Sequence, residues 1–181
     1  IETSSLCNRS CQDCIRNSHP DRDRVKSWFT PNYMPTVMVK QVLKDAKAMG
    51  FRGSVCLQHY NEPLMDERIE KLGQYARNLD SFEEIFISTN GDFLTEARAA
   101  RLDGVFHRLV IALYMDEPKK SERERLLRAL FTKTMLDFTG GYHIPTHFGT
   151  SSDFRGHAKL ALTLPCKQPT ERMIINHQGD M

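Results

Sequence analysis

Three short, near-continuous apolar runs constrain this chain most: Val55-Cys56-Leu57, Ile85-Phe86-Ile87 and Leu109-Val110-Ile111-Ala112-Leu113. None shows the strict apolar/polar alternation of a half-wet strand, so each reads as a strand of a parallel sheet covered by helices. The segments between them carry a helical period. Met38, Val39, Val42, Leu43, Ala46 and Met49 share one face, with Thr36 as N-cap and Gly50 as the stop. A second helix is expected from Asp66 to Leu79, with Ile69, Leu72, Ala76 and Leu79 inward and Glu67 and Lys71 spaced as an i,i+4 pair. Thr95 can cap a short helix through Leu102. Ser121-x-x-Glu124 reads as a capping box before Leu126, Leu127, Leu130 and Phe131. Glu2–Leu6 is a further strand candidate, Tyr142–Phe148 another beyond the break at Thr139-Gly140-Gly141, and Ala158–Leu164 a last one. Strand and helix alternate throughout, which fits either a doubly wound sheet or a barrel.

A chain of 181 residues is enough for one domain with a single core. With 40% hydrophobic and 27% charged residues and a net charge of +2, its composition favours neither nucleic acid nor an acidic membrane as partner. No apolar stretch approaches the roughly 20 residues of a membrane span, and no signal-peptide pattern opens the chain. A cytoplasmic location is the expectation. The chain opens on Ile1 and closes at Met181, and it reads as a fragment of something longer.

The chemistry gathers at Cys7-Asn8-Arg9-Ser10-Cys11-Gln12-Asp13-Cys14, three of the five cysteines in one loop. Such crowding in a chain with no secretory signal points to metal or redox work rather than to a disulfide scaffold. Three thiolates can hold a [4Fe–4S] cube and leave one iron without a protein ligand. An open metal position is what a reactive site needs. Two other uses of the same thiols stand beside this one. Cys7, Cys11 and Cys14 with His19 could close a zinc site, and Cys11-x-x-Cys14 could act as a redox dithiol.

The Cys-x-x-x-Cys-x-x-Cys spacing resembles the cluster motif of the radical S-adenosylmethionine (radical SAM) enzymes. Gln58-His59-Tyr60-Asn61-Glu62-Pro63 is similar to that family's Gly-Glu-Pro motif, with Asn61 in place of glycine. Ile85-Phe86-Ile87-Ser88-Thr89-Asn90-Gly91 resembles its strand ending in Thr-Asn-Gly. Cys166-Lys167-Gln168-Pro169, with Met173 to Asp180 behind it, looks like the opening of a SPASM or Twitch extension. The position before the third cysteine is often aromatic in the family and is Asp13 here.

The resemblance implies an α/β fold, a partial (β/α)6 TIM-like barrel over 1–155, with the start of a SPASM/Twitch-like auxiliary-cluster segment over 156–181. Cys7, Cys11 and Cys14 would ligate a [4Fe–4S] cluster whose free iron takes S-adenosylmethionine. Reductive cleavage would then yield a 5′-deoxyadenosyl radical that abstracts hydrogen from a small-molecule or peptide substrate. Asn61, Glu62 and Pro63 would hold the methionyl amino group, and Ser88, Thr89 and Asn90 its carboxylate or the ribose. Cys166 would be a ligand of a possible auxiliary Fe–S cluster. A reductant such as flavodoxin or ferredoxin is implied. The alternative is a non-catalytic zinc or Fe–S electron-transfer protein using the same cysteines.

Independently of any family, sites in barrels of parallel strands form at the strands' carboxyl ends. The cysteine loop, His59–Pro63, Ser88–Gly91 and the end of Leu109–Tyr114 all leave candidate strands there, so they converge on one mouth. Other side chains have plainer readings. Cys56 reads as a core thiol, Trp28 and Phe29 as packing under a loop, Arg16 as solvated, and His143 and His147 as pocket-lining or locally bonded. No phosphate loop, dinucleotide fingerprint, zinc helix or nucleophile elbow is present.

Overall fold

The computed structural model describes residues 1–11, 14–18, 23, 29–140 and 173–180. Among them four strands, Ser54–Cys56 (β1), Glu84–Thr89 (β2), Arg108–Leu113 (β3) and Met135–Gly140 (β4), pair in chain order, every neighbour parallel. Val55 faces Ile85, Ile87 faces Leu109 and Ile111 faces Phe138 in register. Parallel neighbours require a long crossover, and helices supply it. A short helix, Ile15–Ser18 (α1), follows the cysteine loop, and Thr36–Ala48 (α2) precedes β1. Ile69–Asn78 (α3), Glu96–Leu102 (α4) and Lys119–Leu130 (α5) make the three crossovers. A doubly wound sheet reverses its strand order at a switch point. Here the order advances without reversal, as it does around a barrel.

Burial alternates along the strands. Ile85, Ile87, Leu109, Ile111 and Leu113 enter one apolar cluster with Val39, Leu43, Leu72, Ala76, Ala99, Leu102 and Leu127 from the helices. The other face carries half-buried residues, among them Phe86, Ser88 and Arg108. Arg108 grips Glu84 with two bonds of 2.7 and 2.8 Å and reaches Asp137 at 3.5 Å. Among the described residues the helices therefore cover one face of the expected parallel sheet.

Several element boundaries differ from the sequence reading. Pro35, not Thr36, is the cap residue of α2, and the Thr36 hydroxyl accepts from Arg68 instead. Gly50 ends that helix as expected: at φ +77° it donates to the Lys47 carbonyl while Phe51 donates to Ala46. The helix expected from Asp66 starts only at Ile69, because Pro63–Met65 forms a 3-10 turn and the buried Asp66 carboxylate binds Arg68. Thr95 does cap α4, accepting the Arg98 N–H at 3.2 Å. Ser121 lies inside α5, where both its N–H and its hydroxyl donate to Glu117. Leu126 is 49% exposed while Leu127 is fully buried, so the inward stripe is narrower than expected. Among the described residues Glu2–Leu6 makes a single bridge, Ser4 to Tyr33, yet Glu2, Thr3, Ser4 and Ser5 are all buried.

The break expected at Thr139-Gly140 is instead the end of β4. Asp103, just after α4, accepts from the Thr132 N–H and hydroxyl and from the Lys133 and Thr134 N–H groups at 2.7–3.1 Å. Thr134 in turn donates to the Phe106 carbonyl and accepts from Gly104. This knot delivers Met135 into register beside Arg108. Tyr142–Phe148 and Ala158–Leu164 lie outside the described residues.

Burial opposes ionisation of Asp103, but those hydrogen bonds outweigh it and hold the carboxyl down to about 2 from 3.8. A depressed acid stabilises the fold above its unfolded pKa and loses that contribution as pH falls through the folded value. The resistance of the wild type to urea should therefore weaken as pH falls from about 4 to about 2. Asp103→Asn should be less stable at pH 7 and flatter across that window.

A second expectation concerns Gly73 on α3. A Cβ there would lie 2.6 Å from Phe106 Cζ and 2.8 Å from Val105 Cγ1, and Phe106 is fully buried. Overpacking of about 1–3 kcal/mol should outweigh the roughly 1 kcal/mol gained in helix propensity. Gly73→Ala should lower unfolding stability despite its helical setting.

Candidate active site

The carboxyl ends of β1 and β2 are joined by one side chain. Glu62, 3% exposed, donates its backbone N–H to the Leu6 carbonyl at 2.7 Å, directly before Cys7. Its Oε1 accepts from the Thr89 hydroxyl at 2.6 Å and the Leu64 N–H at 3.1 Å, and its Oε2 from the Asn90 N–H at 2.8 Å. Burial pushes this carboxyl's pKa up, and the bonds from Asn90, Thr89 and Leu64 resist the rise. Three donors fill three of the roughly four acceptor sites of a carboxylate, leaving one on Oε2 among the described residues. Gly91 makes the turn possible: φ is +76°, and a Cβ would lie 3.0 Å from Leu113.

Asn61 does not crowd the mouth. It is buried; its Nδ2 donates to Ser4 Oγ at 3.3 Å and its Oδ1 accepts the His59 N–H at 3.0 Å. Pro63 opens the 3-10 turn. Thr89 and Asn90 meet Glu62, whereas Ser88 projects from the opposite, half-buried face of β2. The sequence-predicted residues thus form a connected staple with Ser88 outside it.

The cysteine loop is pinned onto the same place. Asn8 Nδ2 donates to Asp92 at 2.7 Å, Arg9 holds Asp92 with two bonds of 2.7 and 2.5 Å, and Asn90 Nδ2 donates to Asn8 at 2.8 Å. The Arg9 guanidinium also lies 4.8 Å from the Tyr114 ring, just past β3. Cys7, Cys11 and Cys14 are free and half-buried. A turn from Cys14 N–H to the Cys11 carbonyl, and bonds from Asn17 to both, close the loop. Burial pushes the Cys7 and Cys14 thiols up, with the Glu62 carboxylate and Cys11 adding to it at Cys7 and the other two thiols at Cys14. Burial likewise pushes Tyr114 and Tyr60 up to about 12, with the nearby cysteines adding to it.

Among the described residues no three His, Cys, Asp or Glu side chains converge on a single metal ion. A cluster does not ask for that, since each thiolate takes a different iron. Three half-buried thiols on one pinned loop fit such a group.

The family model of the Radical SAM superfamily matches residues 1–134. The chain belongs to the radical SAM superfamily. Membership implies a [4Fe–4S] cluster and S-adenosylmethionine as cofactors. A curated relative, the S-adenosyl-L-methionine-dependent 2-deoxy-scyllo-inosamine dehydrogenase of Niallia circulans, is 28% identical over 102 residues, covering 56% of this chain and 38% of that protein. The crystal structure of BtrN in complex with AdoMet and 2-DOIA superposes with a TM-score of 0.58 at 23% identity, over 76% of this chain and 54% of BtrN. BtrN in an open conformation gives 0.52 at 20% identity, over 77% and 54%. These likenesses confirm the radical SAM fold, a partial parallel (β/α) barrel. The chain spans about half the length of the solved structures and less of the curated relative.

Other readings resolve as follows. Arg16 is not a solvated arginine: it donates to the Ser5 carbonyl at 2.7 Å and lies 4.3 Å from the Phe29 ring. Phe29 packs edge-on against Tyr60. Cys56 is half-buried on the open face of β1 rather than in the core, with its thiol 3.4 Å from Gln58 Oε1. His19, Trp28, His143, His147 and Cys166 lie outside the described residues. No described helix is long and apolar enough to cross a membrane. Sequence reasoning missed Asn8, Arg9, Asp92 and Tyr114. Only the place of Asp92 directly after Thr-Asn-Gly could have hinted at it.

The clamp makes a checkable claim. Asp92→Ala should free the loop, and trypsin should cut after Arg9 several-fold faster than in the wild type. Global stability should fall by no more than about 1 kcal/mol, because Arg9 and Asp92 are a partly exposed pair.

Proposed function

We propose that this radical SAM protein is an enzyme that generates a 5′-deoxyadenosyl radical to abstract hydrogen from a small molecule. The observation that carries the reading is the shared anchoring of the cysteine loop and the Asn61-Glu62-Pro63 loop: Glu62 binds Leu6 on one side and Thr89 and Asn90 on the other. In this reading Cys7, Cys11 and Cys14 hold the [4Fe–4S] cluster. When bound, the reduced cluster supplies the electron that cleaves the S-adenosylmethionine sulfonium, the hard step belonging to the cofactor. The chain's part is to bind and orient. The loop Asn61-Glu62-Pro63 offers backbone carbonyls and the remaining Glu62 acceptor site to an ammonium group. Asn90 and Ser88 offer further polar groups, while Thr89 acts through Glu62. Arg9 and Asp92 keep the cysteine loop over β2.

The dehydrogenase named among the relatives acts, by its name, on an aminocyclitol. That supports an oxidoreductase acting on a small hydroxylated substrate over a peptide maturase. We assign 1–155 to the core barrel and 156–181 to the beginning of a SPASM/Twitch-like segment, with Cys166 as a ligand of an auxiliary cluster completed elsewhere. A flavodoxin or ferredoxin would be the reductant, in the cytoplasm.

Anaerobic reconstitution tests this. The wild type should take up iron and sulfide as a brown [4Fe–4S] chromophore and, with dithionite and S-adenosylmethionine, release 5′-deoxyadenosine. Cys11→Ala should stay folded and lose the release entirely. A colourless zinc protein, or release that survives in Cys11→Ala, would overturn the assignment.

A further inference from the structure

Glu2 is a buried acid to which the radical SAM chemistry assigns no task. Its carboxylate faces two ways. Oε1 accepts the backbone N–H of Tyr60 at 3.1 Å, inside the loop that carries Asn61 and Glu62. Oε2 lies 3.0 Å from Nδ1 of His177, and both side chains are 4% exposed. With its proton on Nδ1, the imidazole donates to Glu2. The Glu2 N–H also donates to the Ile175 carbonyl at 2.8 Å.

His177 sits in a turn that is secured without its ring. Asn176 donates to the Asp180 carbonyl at 3.0 Å, and its Oδ1 accepts the N–H groups of Gln178 and Asp180 at 3.0 and 2.9 Å. Gly179 packs so closely on Met38 that a Cβ would lie 2.7 Å from its sulfur. The imidazole is therefore not what folds the turn. A buried imidazole–carboxylate pair is also weak evidence for stability as such, since desolvation offsets much of the attraction. What the pair does supply is register, because it links the segment at 173–180 to the amide of Tyr60 through a single carboxylate.

We propose that Glu2 and His177 are positioning residues: the C-terminal segment holds one oxygen of Glu2 and thereby sets the other against Tyr60, fixing the loop on which S-adenosylmethionine would rest. The identity of that ligand rests on the proposed function; the coupling itself does not. Lifting the C-terminal segment would loosen the cofactor loop, so the seating of 173–180 would bias cofactor binding.

The test uses the full chain. His177→Leu fills the volume but removes the donor, leaving a buried Glu2 oxygen unpaired. The amide of Tyr60 should then exchange with solvent about tenfold faster, the size expected for a lost hydrogen bond to a charged group. His177→Asn places an amide N–H close to the position of Nδ1 and should restore protection. In reconstituted protein the affinity for S-adenosylmethionine should follow the same order, weakest in His177→Leu and near wild type in His177→Asn. Unchanged Tyr60 exchange in His177→Leu, or equal exchange in the two variants, would overturn the coupling. A reconstituted wild type that binds no S-adenosylmethionine would instead overturn the proposed function, while the Tyr60 exchange would still decide the coupling.

Discussion

One buried carboxylate joins the parts of this site. Glu62 bonds through its backbone to the residue before Cys7 and through its side chain to the end of β2. Isolated, a carboxylate this buried would cost several kcal/mol to keep ionised. Donors from Thr89, Leu64 and Asn90 replace the lost water, and each carries the geometry of its own segment with it. The Thr89 hydroxyl belongs to a strand, the Asn90 N–H to a left-handed glycine turn and the Leu64 N–H to a 3-10 turn. Three different local structures must be correctly made before the acid is satisfied. That interdependence is a physical reason for a Glu-Pro after β1 and a Thr-Asn-Gly at the end of β2 to occur together.

The cysteine loop gains its place from the same construction. A local turn and the short helix α1 close it, and the side chains of Asn8 and Arg9 hold it against Asp92 and Asn90. Because Asp92 follows directly on the Thr-Asn-Gly turn, the loop and the Glu62 staple meet on one stretch of four residues, 89–92. Metal ligands need orientation as well as presence, and outer contacts of this kind provide it. The barrel beneath supplies rigidity: β2 and β3 bury every second side chain against the helices, leaving their ends free to carry polar turns.

Much of this was legible in the sequence, and the failures have physical causes. β1, β2 and β3 were visible because one face of each is driven into the core by Val55, Leu57, Ile85, Ile87, Leu109, Ile111 and Leu113. β4 was missed because Met135 is 59% exposed and Asp137 and Thr139 are polar, so the strand lacks an apolar signature. It is held by the ladder to β3 and by Asp103, contacts made across about thirty residues. Ser121 suggested a cap, but Glu117 outcompetes its helix-opening role by accepting from it. At the site, spacing marked Cys7, Cys11 and Cys14, and the resemblance to the Gly-Glu-Pro motif marked Glu62. Spacing could not reveal that Glu62 is engaged internally, or that Arg9 reaches Asp92 from 83 residues away. Long-range pairing of polar side chains leaves no periodic trace.

The central claim is that the pinned cysteine loop presents a cluster with one iron left for S-adenosylmethionine. Mössbauer spectroscopy of the reconstituted protein, recorded with and without S-adenosylmethionine, reads this directly. A single iron site of the four should change its isomer shift when the cofactor is added, while the other three stay as they were. Four irons indifferent to S-adenosylmethionine would contradict the account.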